Sequence, residues 1–68
     1  MNANVKQLEQ WLRASGIDCL QITDATTGRL GLFVHFDDAT KKQHQQICSM
    51  AKRLKIDWNI SDKGPTFF

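Results

Sequence analysis

The spacing of apolar residues switches period three times along this chain, and that succession constrains the fold more than any other feature. Val5, Leu8, Trp11 and Leu12 recur at helical spacing, so residues 4–15 read as an amphipathic helix. Asn4 with Gln7 three residues later forms a variant of the capping box, and Gly16 between Leu12 and Ile17 predicts a Schellman end. Period two then takes over. Leu20 and Ile22 alternate with Cys19, Gln21 and Thr23, and Leu30, Leu32, Val34 and Phe36 alternate with Gly31, Phe33 and His35. Residues 18–24 and 29–36 therefore read as a β-hairpin turned at Asp24–Gly28. Helical spacing returns over residues 38–55 through Ile47, Met50, Ala51 and Leu54, with Asp37 or Asp38 as the cap. Ile56, Trp58 and Ile60 predict a third strand. Asp62-Lys63-Gly64-Pro65 predicts a turn, and Thr66-Phe67-Phe68 a short fourth strand that folds back.

A helix and a hairpin alone cannot cover their own apolar face. The expected architecture is therefore α+β: a two-layer α/β sandwich in the order α-β-β-α-β(-β), with two helices packed on one face of a three- or four-stranded sheet. The third strand can join either edge of the hairpin. With 68 residues the chain makes a single domain. Such a chain buries only about 60% of the surface it exposes when unfolded, which excludes a second domain and a deep cofactor cavity. Ile17-Asp18 and Ile56-Asp57 each follow a helix, and Ile22-Thr23-Asp24 echoes Ile60-Ser61-Asp62, so residues 4–36 and 38–68 read as a faint duplication.

Alternation assigns Leu20, Ile22, Leu30, Leu32, Val34, Phe36, Ile56, Trp58 and Ile60 to the helix side of the sheet. The other side then carries mostly polar residues, with Phe33 and His35 near its middle. The stretch Arg29–Phe36 resembles the aromatic strand signature of the RNA-recognition motif at Arg29, Phe33, Val34 and Phe36. The resemblance implies that Phe33 stacks on a base. It covers eight residues and departs from the signature at Leu30, Gly31 and Leu32, and no aromatic strand precedes residue 4, so no family is assigned. Phe67 and Phe68 either complete the core as an edge strand or dock onto another chain, since two exposed phenylalanines cost free energy in water. Phe33, His35, Phe67 and Phe68 are thus the candidate protein-binding residues.

Nine basic residues face seven acidic ones, a net charge of +2. The distribution is uneven: Lys41, Lys42, Lys52, Arg53 and Lys55 lie in a stretch, residues 39–56, that contains no acid. These five could meet phosphates or an acidic protein surface, and the last three also suit the negative end of a helix dipole. Cys19 and Cys48 read as free thiols in a reducing compartment, because disulfide scaffolds carry denser cysteines. The polar start lacks a signal-type apolar stretch, and Leu30–Val34 is too short to span a bilayer, so a cytoplasmic chain with no membrane partner is expected.

His44 and Cys48 are four apart on a helix, but Cys19 and His35 fall on the other side of the sheet, so no metal site and no cofactor are expected. The aspartates sit at element ends, where they cap and turn. The glycines are scattered, and no small-molecule site is evident. The reading is a small non-enzymatic binding or regulatory protein that docks stoichiometrically to a protein partner or to a second copy of itself. The alternative is a nucleic-acid-binding accessory using the basic helix, and a third reading is a small nuclease dependent on His35.

Overall fold

A computed structural model describes residues 1–68. Its elements are α1 (Ala3–Ala14), β1 (Leu20–Thr23), β2 (Leu30–Phe33), a 3₁₀ turn (Phe36–Asp38), α2 (Lys41–Arg53), β3 (Trp58–Ile60) and β4 (Pro65–Phe67). The four strands form one antiparallel sheet in the order β1-β2-β4-β3, so the fold is the expected α+β sandwich. The last strand is central and the third is an edge. β4 pairs Phe67 with Leu32 and Thr66 with Phe33 on one side, and Trp58 to Ile60 on the other. Val34 N–H donating to Pro65 O at 3.1 Å and Phe36 N–H donating to Lys63 O at 2.9 Å extend that central pairing. Each half of the chain runs helix, strand, strand, and the halves meet through their second strands.

Local chemistry sets the helix ends. The cap of α1 is Asn2 rather than Asn4: Asn2 Oδ1 accepts from Val5 N–H at 2.9 Å. Asn4 instead donates from Nδ2 to Leu54 O at 3.0 Å, tying the start of α1 to the end of α2. Thr40, not Asp37 or Asp38, caps α2 through a complete capping box with Gln43. The two aspartates form the preceding 3₁₀ turn. Both helices end in Schellman geometry. Ile17 N–H reaches Leu12 O and Ile56 N–H reaches Ala51 O, each at 2.9 Å. Gly16 takes the left-handed position in the first case (φ 73°) and Lys55 in the second (φ 56°).

The core joins Val5, Leu8 and Leu12 of α1 and Ile47 and Ala51 of α2 to Leu32, Val34 and Phe67 of the central strands. Both helices therefore pack on one face of the sheet. Residues opposite each other in an antiparallel ladder point to the same face. Gln21 opposes the buried Leu32, whereas Leu20 opposes Phe33 and Ile22 opposes Gly31. The inward set of β1 is thus one residue out from the sequence expectation. Cys19 faces the core, Gln21 bonds Glu9 on α1 at 3.1 Å, and Leu20 and Ile22 turn outward. The cause lies at the helix exit: Ile17 and Cys19 enter the core first, and period two carries that phase into the strand. Phe36 also departs from expectation, because the 3₁₀ turn begins there. It is exposed and rests edge-on against His44, with ring centroids 5.5 Å apart. Leu30 and Ile60, at opposite ends of the sheet, also stay exposed.

Candidate functional site

Because both helices cover the same face, the other face of the sheet is open. Its centre is apolar. Leu20 is 63% exposed and lies across from the half-buried Phe33, and Ile22 lies across from Gly31. Gly31 is a shelf: a Cβ there would come within 2.7 Å of the Phe68 ring and 2.9 Å of the Thr66 methyl. The missing side chain lets the Phe68 ring pack down onto β2, where it is buried. Arg29 closes the far side of that ring, with its guanidinium carbon 5.1 Å from the ring centroid and Nη2 donating to Phe68 O at 3.4 Å. A cation over an aromatic face is attractive, and the stacked guanidinium keeps its remaining donors for other groups.

His35 sits at the end of this strip, edge-on to Phe33 with ring centroids 6.2 Å apart. Its Nδ1 accepts from Asp37 N–H at 3.0 Å, which leaves the proton of the neutral ring on Nε2. The Asp37 carboxylate is 3.6 Å from Nδ1 but almost wholly exposed to water, so it offers the imidazole little orientation. The ring therefore caps a turn at the border of the face.

Phe33 and His35 lie side by side on the open face, and Phe68 lies on the same face but is buried over Gly31 beneath Arg29, so its assignment to partner binding is corrected. Phe67 points to the helix side, is fully buried between Leu32 and Trp58, and packs its ring 6.0 Å from that of Trp58. It is a core residue, and its assignment to partner binding is corrected. Leu20 and Ile22 were missed as site residues. The signal that finds them is the period-two phase starting at Ile17 and Cys19, rather than the apolar character of Leu20 and Ile22 themselves.

Lys41, Lys42, Lys52, Arg53 and Lys55 are all exposed, on the helix layer and away from the open face. The one ion pair between permanently charged side chains is Arg13–Glu9 at 3.3 Å, and the His35–Asp37 approach involves none of these five cations, so all five are unpaired. The four cysteine and histidine side chains are spread across the molecule. Cys19 is buried under α1, and burial pushes its thiol pKa up despite the nearby Arg13 guanidinium. His44 uses Nε2 to reach Phe36 O at 3.2 Å. Cys48 is half-buried beside it on α2. No helix is long and apolar enough to cross a membrane.

Comparison with family models, curated proteins and solved structures returned no match.

Proposed function

We propose that this chain is a small non-enzymatic binding protein that docks a protein surface, a partner's or a second copy's, onto the open face of its sheet. The observation that carries the reading is the strip of Leu20, Ile22 and Phe33, left accessible because both helices pack on the opposite face, with the Phe68 ring buried beside it over Gly31. A contiguous apolar strip with polar neighbours (Thr66, Asn59, Ser61, His35 and Arg29) has the layout of an interface core and rim. Burying a large aliphatic or aromatic side chain contributes about 1.5–3 kcal/mol, so Leu20, Ile22 and Phe33 can anchor the centre of a contact whose polar rim offsets the rest of the cost of association. A standard interface takes about 800 Å² from each partner, under a fifth of the 4521 Å² this chain exposes.

The test is sedimentation of the purified protein over a wide range of concentration, paired with the Leu20→Ser/Ile22→Ser variant. If the face binds a second copy, the wild type shifts toward dimer as concentration rises and the variant stays monomeric. If the occupant is another protein, the wild type stays monomeric, and cross-linking in cell extract captures a partner that the variant fails to capture. A variant that associates or captures as the wild type does would remove the open face from the function.

A further inference from the structure

The sheet face leaves the charge of the molecule unexplained, and that charge is concentrated on the opposite layer. Helix α2 and the residue after its cap carry Lys41, Lys42, Lys52, Arg53 and Lys55 with no acidic residue among them. The one acid of α1, Glu9, is turned toward β1, where Arg13 and Gln21 hold it. Every other acid of the chain lies in a loop or turn. The nearest to the start of α2, Asp37 and Asp38, sit in the 3₁₀ turn ahead of its cap. The five α2 cations form no ion pair. They stand in two clusters, one at each end of the helix, and Lys42 and Arg53 are about 16 Å apart along its axis at 1.5 Å rise per residue. Between the clusters the solvent side is neutral and rich in hydrogen-bonding groups: Gln45, Gln46 and Ser49, all exposed.

We infer that α2 is a binding surface for double-stranded DNA, its cationic ends on phosphates and its glutamine-rich middle toward the base edges of the major groove. Charge complementarity with a polyanion is the first argument. The second is what the surface lacks. Protein interfaces are built on apolar and aromatic anchors and are depleted in lysine, whereas protein–DNA interfaces are polar and strongly positive. The solvent side of α2 has the second composition. Single-stranded nucleic acid is held largely by stacking on aromatic rings, and α2 has no aromatic residue other than His44, which is taken up by Phe36. Trp11 of α1 is half-buried against the core and lines the groove beside Lys42, Gln46 and Arg53, so one ring edge borders this surface, short of the run of rings on which successive bases stack. The major groove admits an α-helix, and glutamine and serine are among the side chains that read base edges there.

The test is fluorescence anisotropy of a labelled mixed-sequence duplex titrated with the protein at about 50 and about 200 mM salt. Five phosphate contacts give a slope of about −4.5 in log K against log salt, so affinity should fall roughly 500-fold between the two conditions. Replacing Lys52 and Arg53 by Gln should reduce that slope by about 1.8, and thermal unfolding followed by circular dichroism verifies that this variant is folded. The Leu20→Ser/Ile22→Ser variant should bind the duplex as the wild type does, so a failure of the sheet-face reading leaves this result standing and the reverse holds too. Alkylation of Cys48, which lies on the same helix beside Ser49, should slow when duplex is added. Absence of binding at the lower salt would overturn the inference, as would a salt slope unchanged by the charge variant. Tighter binding to a single strand, or equal binding to poly-glutamate, would also overturn it, the latter redirecting the surface to an acidic protein.

Discussion

Replacing Phe67 by alanine, beside the same replacement at Phe33, tests the central claim about this fold: that β4 lies in the middle of the sheet with one phenylalanine in the core. Phe67 is fully buried, sits across from both Leu32 and Trp58, and packs at a tilt against the Trp58 ring. Truncating a buried phenylalanine costs about 3–5 kcal/mol, as lost transfer energy plus the cavity left behind. A core in a domain of this size supplies about 3–5 kcal/mol in total. Phe67→Ala should therefore be largely unfolded at 25 °C without denaturant. Phe33 is half-buried on the open face, so truncating it forfeits part of its burial energy but leaves a dent open to water rather than an enclosed cavity. Phe33→Ala should cost about 1–2 kcal/mol, a shift of about 1–2 M in urea midpoint at the slope of about 1 kcal/mol/M typical of small domains. Urea unfolding monitored by tryptophan fluorescence reads both. Trp58 is the neighbour of Phe67, so its emission reports directly on that packing. Equal midpoints for the two variants would refute the placement of β4 and the assignment of Phe67 to the core.

Three further outcomes follow from the geometry. Gly64 has φ 154° and no room for a Cβ, which would overlap the Val34 carbonyl oxygen, so Gly64→Ala should cost at least about 2 kcal/mol in the same urea assay. Thr40→Ala removes the hydroxyl that accepts from Gln43 N–H at 3.1 Å and should cost about 1 kcal/mol, while Thr40→Gly should cost only a few tenths. The Cys19 thiol has its pKa raised by burial above the ordinary 9.0. Below that value both folded and unfolded chains hold the proton, and its contribution to stability is fully present. Above it the unfolded chain releases the proton while the fold retains it, so stability falls as pH climbs through the alkaline range. Urea midpoints at pH 8 and 10 should drop more for the wild type than for Cys19→Ala, and equal drops would show that the thiol is not buried as described.

Much of this fold is legible in the sequence because it depends on neighbours close along the chain. Helical spacing of Val5, Leu8 and Leu12, the turn glycine at 28 and the Schellman end at Gly16 each involve a few consecutive residues, and each appears where it was expected. Capping is harder to read. Asn2, Asn4, Asp37, Asp38 and Thr40 are all good caps in isolation, and the choice among them depends on which residue starts the first turn. The face of β1 is harder still. Leu20 and Ile22 look like core residues, and the core had already been filled from that side by Ile17 and Cys19.

Sequence by itself determined the order of the elements, their periods and the concentration of positive charge on α2, because each follows from residue type and local spacing. Tertiary structure alone decided that the last strand lies at the centre of the sheet, that Phe67 goes in while Phe68 lies out over Gly31, and that Leu20 and Ile22 share the open face with Phe33. The physical reason is that a strand's side chains have a period of two, so the facing of every residue turns on a single register. That register is set by partners dozens of residues away: Leu32 across from Phe67, and Gln21 across from Leu32.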